Sequence, residues 1–221
     1  MKTLQWKFFA ILLGAIIASS TFAADKRIGI VVFDGVLTSD VTAPIEVFGA
    51  ASKKAWFSDY AVTVLSATQQ KTIQTEEGLT IVADATIYDK QEFDVVIVAS
   101  AYDMDPVLDN DDLTHFIKTQ AKEASWMASN CSGAFLLGQA GVLDGKKATT
   151  WAGGEKGLAS AFPKAQVVFD QNVVVDQGLI TSNGGPVSYQ AAFTLLAKLS
   201  SEDFSNEISE AIQFNRLRSA F

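Results

Sequence analysis

Cysteine and histidine each occur once in the 221-residue chain, as Cys131 and His115. A single cysteine excludes a disulfide within the chain, and one thiol with one imidazole falls short of a four-ligand zinc site, so no metal is expected. Prolines number only 4, and no repeat, low-complexity tract or Pro/Ser-rich linker breaks the sequence into parts. Basic residues are also few: 17 Lys and Arg stand against 25 Asp and Glu, a net charge of −8. Such a surface repels nucleic acid and anionic membrane, so neither is expected as a partner. The apolar run at 8–18, "FFAILLGAIIA", has 11 residues, well short of the roughly 20 that a membrane span requires.

That run has another reading. It follows a short basic start, "MKTLQWK", and precedes "SSTFAA", with small residues at Thr21 and Ala23. Together these form the pattern of a secretory signal cleaved between Ala23 and Ala24, with residues 1–23 removed and no stable membrane anchor left behind. The expected location is periplasmic or secreted. Losing Lys2 and Lys7 leaves 15 basic residues against 25 acidic, a net −10. The mature chain, 24–221, is the size of one domain, and folding at that length buries about 70% of the unfolded surface without a metal or disulfide staple.

Periodicity points to an α/β protein. The β-rich runs "RIGIVVF" (27–33), "AVTVLSA" (61–67), "FDVVIVAS" (93–100) and "SWMAS" (125–129) alternate with helical patterns in "VTAPIEVFGAASKKA", "DDLTHFIKTQAKEA" and "GAFLLGQAG". Alternation of this kind predicts a mainly parallel sheet with helices on both faces. "GLTIVADATI" (78–87) reads as an extra hairpin, and "QNVVVDQGLITSNGG" (171–185) as two short strands about Asp176-Gln177-Gly178. The last two segments read as helices, with Phe204, Ile208, Ala211 and Ile212 spaced along one buried face.

Cys131 lies where the strand "WMAS" passes into the helix "GAFLLGQAG". A thiol there is either a small core filler or a nucleophile. Small residues flank it in "Ser129-Asn130-Cys131-Ser132-Gly133", the steric pattern of a nucleophile elbow, in which a sharp strand-to-helix turn lifts the side chain above the sheet edge. A helix N-terminus lowers a thiol pKa, and the amides of Ser132 and Gly133 would face negative charge developing there. His115 cannot serve as the base: Leu113, Phe116 and Ile117 make the apolar stripe of its segment and place it on the solvated face. The acid or base must then be a carboxylate, and Asp40, in the loop after the first strand, opens at the same sheet edge. Asp40 ahead of a helix with Pro44 in its first turn is equally well read as a helix cap.

Three blocks carry a family resemblance: "TSDVTAPIEVFGAA" (38–51), "SNCSGAFLLGQAGVLDGKKATT" (129–150) and "GLITSNGGPVSYQAAFTLLAKL" (178–199). They resemble signature blocks of the ThiJ/PfpI superfamily, a class I glutamine amidotransferase-like group. The likeness extends to its isonitrile hydratase branch and to the amidase-like ligand domains of some AraC-type regulators. The resemblance implies a flavodoxin-like three-layer α/β/α sandwich, a homodimer, Cys131 as nucleophile, Asp40 as its acidic partner and Ser132 as an assisting hydroxyl. It also implies no cofactor. Gly133, the turn Ala99-Ser100-Ala101 and Trp151 would line the pocket or its oxyanion site. Two departures touch that pocket: Trp151 stands where many relatives carry His, and Ala99-Ser100-Ala101 where many carry a Gly-Gly turn. Both argue against a Cys-His route and leave a Cys-Asp one. The resemblance thus implies a hydratase acting on a small electrophilic carbon, or alternatively a ligand-binding or thiol redox-sensing module of the same fold.

Overall fold

The computed structural model describes residues 26–55 and 60–219. The leader expected at 1–23 lies outside the described residues. The chain forms β1 (Lys26–Val32), α1 (Thr38–Lys54), β2 (Tyr60–Ser66), β3 (Thr72–Gln74), β4 (Thr80–Val82), β5 (Ala85–Thr86) and β6 (Val95–Val98). It continues as α2 (Asp105–Leu108), α3 (Asp111–Glu123), β7 (Trp126–Asn130), α4 (Gly133–Gln139), β8 (Lys147–Ala148), α5 (Glu155–Ala161) and β9 (Gln166–Val167). The last elements are β10 (Val173–Asp176), β11 (Leu179–Ser182), α6 (Val187–Leu199), α7 (Glu202–Ala211) and a 3₁₀ turn (Phe214–Ser219).

Seven strands form one sheet in the order β10-β11-β7-β6-β1-β2-β5. Every pairing in it is parallel except the β10–β11 hairpin. Buried parallel strands read as continuous apolar runs; accordingly, Ile28, Ile30, Val31 and Val32 in β1 and all of Val95–Val98 in β6 are buried. Helices α1, α6 and α7 pack together on one side, and α3 and α5 flank α4 on the other. This is the expected α/β/α sandwich. Among the described residues no helix is long and apolar enough to cross a membrane.

The order reverses between β1 and β6: from β1 the chain winds toward β2, and from β6 toward β7. In open α/β sheets, ligands gather outside the carboxyl ends of the strands at such a reversal. Asp40 follows β1, Ser100 follows β6 and Cys131 follows β7, so this topology gathers all three at one edge.

Several local expectations change. Helix α1 begins at Thr38, three residues before the apolar pattern, which puts Asp40 in its first turn and Pro44 in its second. In 78–87 the hairpin partner of β4 is β3, upstream of the segment, while β5 joins the main sheet beside β2. Ala211 is exposed, so the inner face of α7 rests on Phe204, Ser205 and Ile208. Helix α5 was not foreseen: its seven residues bury only Glu155 and Leu158, too few to set up a helical period. His115 is exposed, as its position opposite the apolar stripe predicts.

Phe48 is fully buried and packs on Tyr60 with ring centroids 5.6 Å apart. Phe48→Ala should lower the unfolding free energy by about 3–5 kcal/mol in urea titrations, whereas His115→Ala should change it by less than about 0.5 kcal/mol. Equal effects of the two substitutions would contradict the assignment of the core.

Candidate active site

Cys131 adopts φ 47°, a left-handed conformation that a residue with a Cβ takes only under constraint. Its neighbours supply the constraint. A Cβ on Gly184 (φ 76°) would lie 2.4 Å from the Cys131 Cβ, and a Cβ on Gly133 would lie 2.6 Å from the Val98 carbonyl oxygen. Only glycine lets these two segments close on the turn. The Cys131 N–H donates to the Ser182 carbonyl at 2.9 Å, and its own carbonyl accepts from Thr150 Oγ1 at 2.8 Å. Both peptide groups of the residue are thus fixed, and the half-buried thiol projects from a nucleophile elbow of the predicted kind.

Asp40 is fully buried, and it does not cap its own helix. The N-cap residue of α1 is Leu37, with no side-chain cap. The carboxylate instead reaches across the sheet edge to other segments. Its Oδ2 accepts from the Ser100 N–H at 3.2 Å and from Ser100 Oγ at 2.5 Å. Its Oδ1 accepts from the Gly185 N–H at 3.0 Å and from Ser188 Oγ at 2.7 Å. Pro44 has no N–H to offer the carbonyl four residues earlier, which is that of Asp40; Asn130 Nδ2 approaches this oxygen at 3.4 Å. The missing helix bond ties the first turn of α1 to the end of β7.

Burial raises the Asp40 pKa above the ordinary carboxylate value, against the four hydrogen bonds, which lower it. Burial is also the main reason that the Cys131 pKa is raised, with the Asp40 charge second; hydrogen bonds from the Ser132 N–H and from the Ser100 and Ser132 hydroxyls oppose the rise. The expected depression of the thiol pKa is therefore overturned. Helix α4 has only seven residues and starts at Gly133, beyond the N-cap Ser132, so its dipole is short and the sulfur sits outside the first turn. The Ser132 amide is the foremost of the groups that oppose this rise.

The remaining candidate residues divide by geometry. Ser132 is buried, and its Oγ also lies 2.9 Å from the Ala101 carbonyl. The amides of the Ala99-Ser100-Ala101 turn point elsewhere: that of Ser100 goes to Asp40 and that of Ala101 to Met104 Sδ at 3.3 Å. These two N–H groups are not aimed at a developing oxyanion. Trp151 is 38% exposed and stacks on Phe135 at 5.6 Å, on the rim, next to the Thr150 that holds the Cys131 carbonyl. Ser188, Gly185 and Gly184 went unassigned in the sequence although they stand in its third block, "SNGGPVS". The signal was there in a Gly-Gly pair and a serine at the start of a helix.

Residues 26–198 match the DJ-1/PfpI family. The chain belongs to the DJ-1/PfpI family. An uncharacterised protein of Streptomyces lividans is 31% identical over 128 residues, 58% of this chain and 89% of that protein. An isonitrile hydratase of Pseudomonas putida is 27% identical over 194 residues, 85% of this chain and 78% of the relative. An HTH-type transcriptional regulator of Pseudomonas aeruginosa is 23% identical over 193 residues, 87% of this chain but only 52% of its own length. Among solved structures, a ThiJ/PfpI protein of Pseudomonas syringae superposes with a TM-score of 0.77 at 21% identity, over 93% of this chain and 82% of that one. An AraC-family regulator of Pseudomonas putida gives 0.75 at 17% identity, over 85% and 99%. At these identities the structural likeness establishes the DJ-1/PfpI fold.

Because the fold raises the Asp40 pKa, the native state binds a proton here more tightly than the unfolded chain does. This contribution to stability is fully present below the ordinary pKa of 3.8 and is lost as pH rises through the higher folded value. Asp40→Asn removes the titration. Denaturant midpoints measured against pH should therefore show wild type losing stability relative to Asp40→Asn as pH rises above about 4; a difference that is flat, or that runs the other way, would contradict the burial argument.

Proposed function

We propose that this DJ-1/PfpI protein is a cysteine-dependent hydratase that converts small isonitriles to N-substituted formamides. The observation that carries the reading is an elbow thiol and a buried carboxylate at one sheet edge, the carboxylate held by hydroxyls and amides and the single histidine of the chain exposed elsewhere. The isonitrile hydratase, matched along 85% of this chain, supports it.

The reaction needs a nucleophile for the terminal isonitrile carbon and a proton for the same carbon. The Cys131 sulfur forms the C–S bond, and the proton that leaves the thiol returns to that carbon by way of Asp40, giving a thioimidate, R–N=CH–S–Cys131. Water then adds to the C=N carbon, the C–S bond breaks, nitrogen takes up a proton, and R–NH–CHO leaves with the thiol restored. A carboxylate with a raised pKa suits this cycle, since it holds a proton more readily than an ordinary one and can return it to the substrate. The Ser132 N–H, already directed at the sulfur, steadies charge there as bonds form and break.

A second reading, a ligand-binding module without turnover, draws on the regulators among the relatives and on the raised thiol pKa, which keeps sulfur neutral at rest. One experiment separates the two. Formamide production from alkyl and aryl isonitriles should appear with wild type, vanish in Cys131→Ala and fall by at least about a hundredfold in Asp40→Asn, the lower end of typical general acid–base contributions, with unchanged circular dichroism. Isonitrile binding by calorimetry without formamide would support the second reading. Turnover that persists in Cys131→Ala would defeat the proposed mechanism.

A further inference from the structure

Ser100 stands in the Ala99-Ser100-Ala101 turn after β6, and its side chain lies between acid and thiol. The register of the sheet explains this. Val98 of β6 pairs with Ser129 of β7, and two residues further along these parallel strands Ser100 and Cys131 emerge side by side at the same edge. The Ser100 side chain is fully buried. Its Oγ lies 2.5 Å from Asp40 Oδ2, and the same hydroxyl is among the groups that act on the Cys131 thiol to lower its pKa.

The partners of Asp40 restrict where a proton on it can sit. Two of its four donors are backbone N–H groups, from Ser100 on Oδ2 and Gly185 on Oδ1, and these cannot turn round to accept. A proton on the carboxyl must therefore face one of the two hydroxyls, Ser100 on Oδ2 or Ser188 on Oδ1. Of these, Ser100 is the one that leaves the strand next to that of Cys131, and its hydroxyl is the one that acts on the thiol.

We propose that Ser100 is a positioning residue whose hydroxyl bridges Cys131 and Asp40 and carries the proton between them. At rest it accepts from the thiol S–H and donates to the Asp40 carboxylate. On activation the S–H bond breaks and that proton passes to Ser100 Oγ while the Ser100 proton passes to Asp40 Oδ2, leaving a thiolate and a neutral carboxyl. The hydroxyl now accepts from Asp40 and donates to sulfur, and the reverse shift restores the resting state. No other reactant is consumed. This assignment adds a device to the hydratase reading and rests on it for its purpose, but the test uses no isonitrile, so either can fail alone.

Cys131 is the only thiol in the chain, so alkylation by iodoacetamide reports on it alone. A bridged pair titrates as a unit in two macroscopic steps. Wild type should show a plateau of slow alkylation between the two steps, from the tautomer with thiolate and neutral Asp40, then a second rise at high pH. Ser100→Ala should abolish the plateau, lowering the rate there by about tenfold or more, the equivalent of one pKa unit, and leave one rise at high pH. Ser100→Thr, which keeps a hydroxyl, should retain both steps. If Ser100→Ala is not recovered folded by circular dichroism, Ser100→Gly takes its place with the same expectation. A single-step profile in wild type, or a plateau that survives loss of the hydroxyl, would overturn the proposal.

Discussion

The buried carboxylate of Asp40 is the constraint on which the site depends. A carboxyl group removed from water costs several kcal/mol unless donors replace its hydration, and none of the four that do so belongs to its own helix. They come from the turn after β6, the loop after β11 and the start of α6. Satisfying Asp40 therefore fixes the spatial relation of α1, β6 and α6. The same residue sets the electrostatics, since its charge is among the causes that lift the thiol pKa. Pro44 contributes by denying the Asp40 carbonyl its helical partner, which brings Asn130 at the end of β7 into the same assembly.

Magnitudes decide the competition at the sulfur. A helix N-terminus stabilises a nearby anion by about 0.3–1 kcal/mol at ordinary exposure, less than one pKa unit. Desolvation and a neighbouring like charge each reach several units. With a seven-residue helix on one side and a buried carboxylate on the other, burial and charge prevail, and Cys131 is not a resting thiolate. The strained elbow supplies position; in the proposed reaction the thiol is activated by moving its proton to Asp40. The tight turn and the acid are complementary parts of one arrangement.

Much of this was legible in the sequence because it depends on short-range pattern. The apolar runs gave the strands, small residues about Cys131 gave the elbow, and the stripe of Leu113, Phe116 and Ile117 sent His115 to the surface. The role of Asp40 was not legible from spacing, because an aspartate at a helix start reads alike whether it caps the helix or faces a site. What separates the readings is Ser188, 148 residues away in sequence, and only the folded sheet brings the two together. The direction of the thiol pKa was misread for a related reason: the dipole is a local feature, whereas burial and the charge of Asp40 are tertiary. Ser100 reads in the sequence only as part of the Ala99-Ser100-Ala101 turn, and its hydroxyl acquires meaning only with β6 and β7 in register.

The central claim is that sulfur, carboxylate and substrate carbon act through one covalent sequence at this edge. The most direct measurement is intact-mass analysis of the protein mixed with a small isonitrile and quenched in acid within the first turnovers, followed by peptide mapping. The account predicts a mass gain equal to one isonitrile, confined to the peptide that contains Cys131 and absent in Cys131→Ala. Formamide accumulating while the Cys131 peptide stays unmodified at every time point would contradict it.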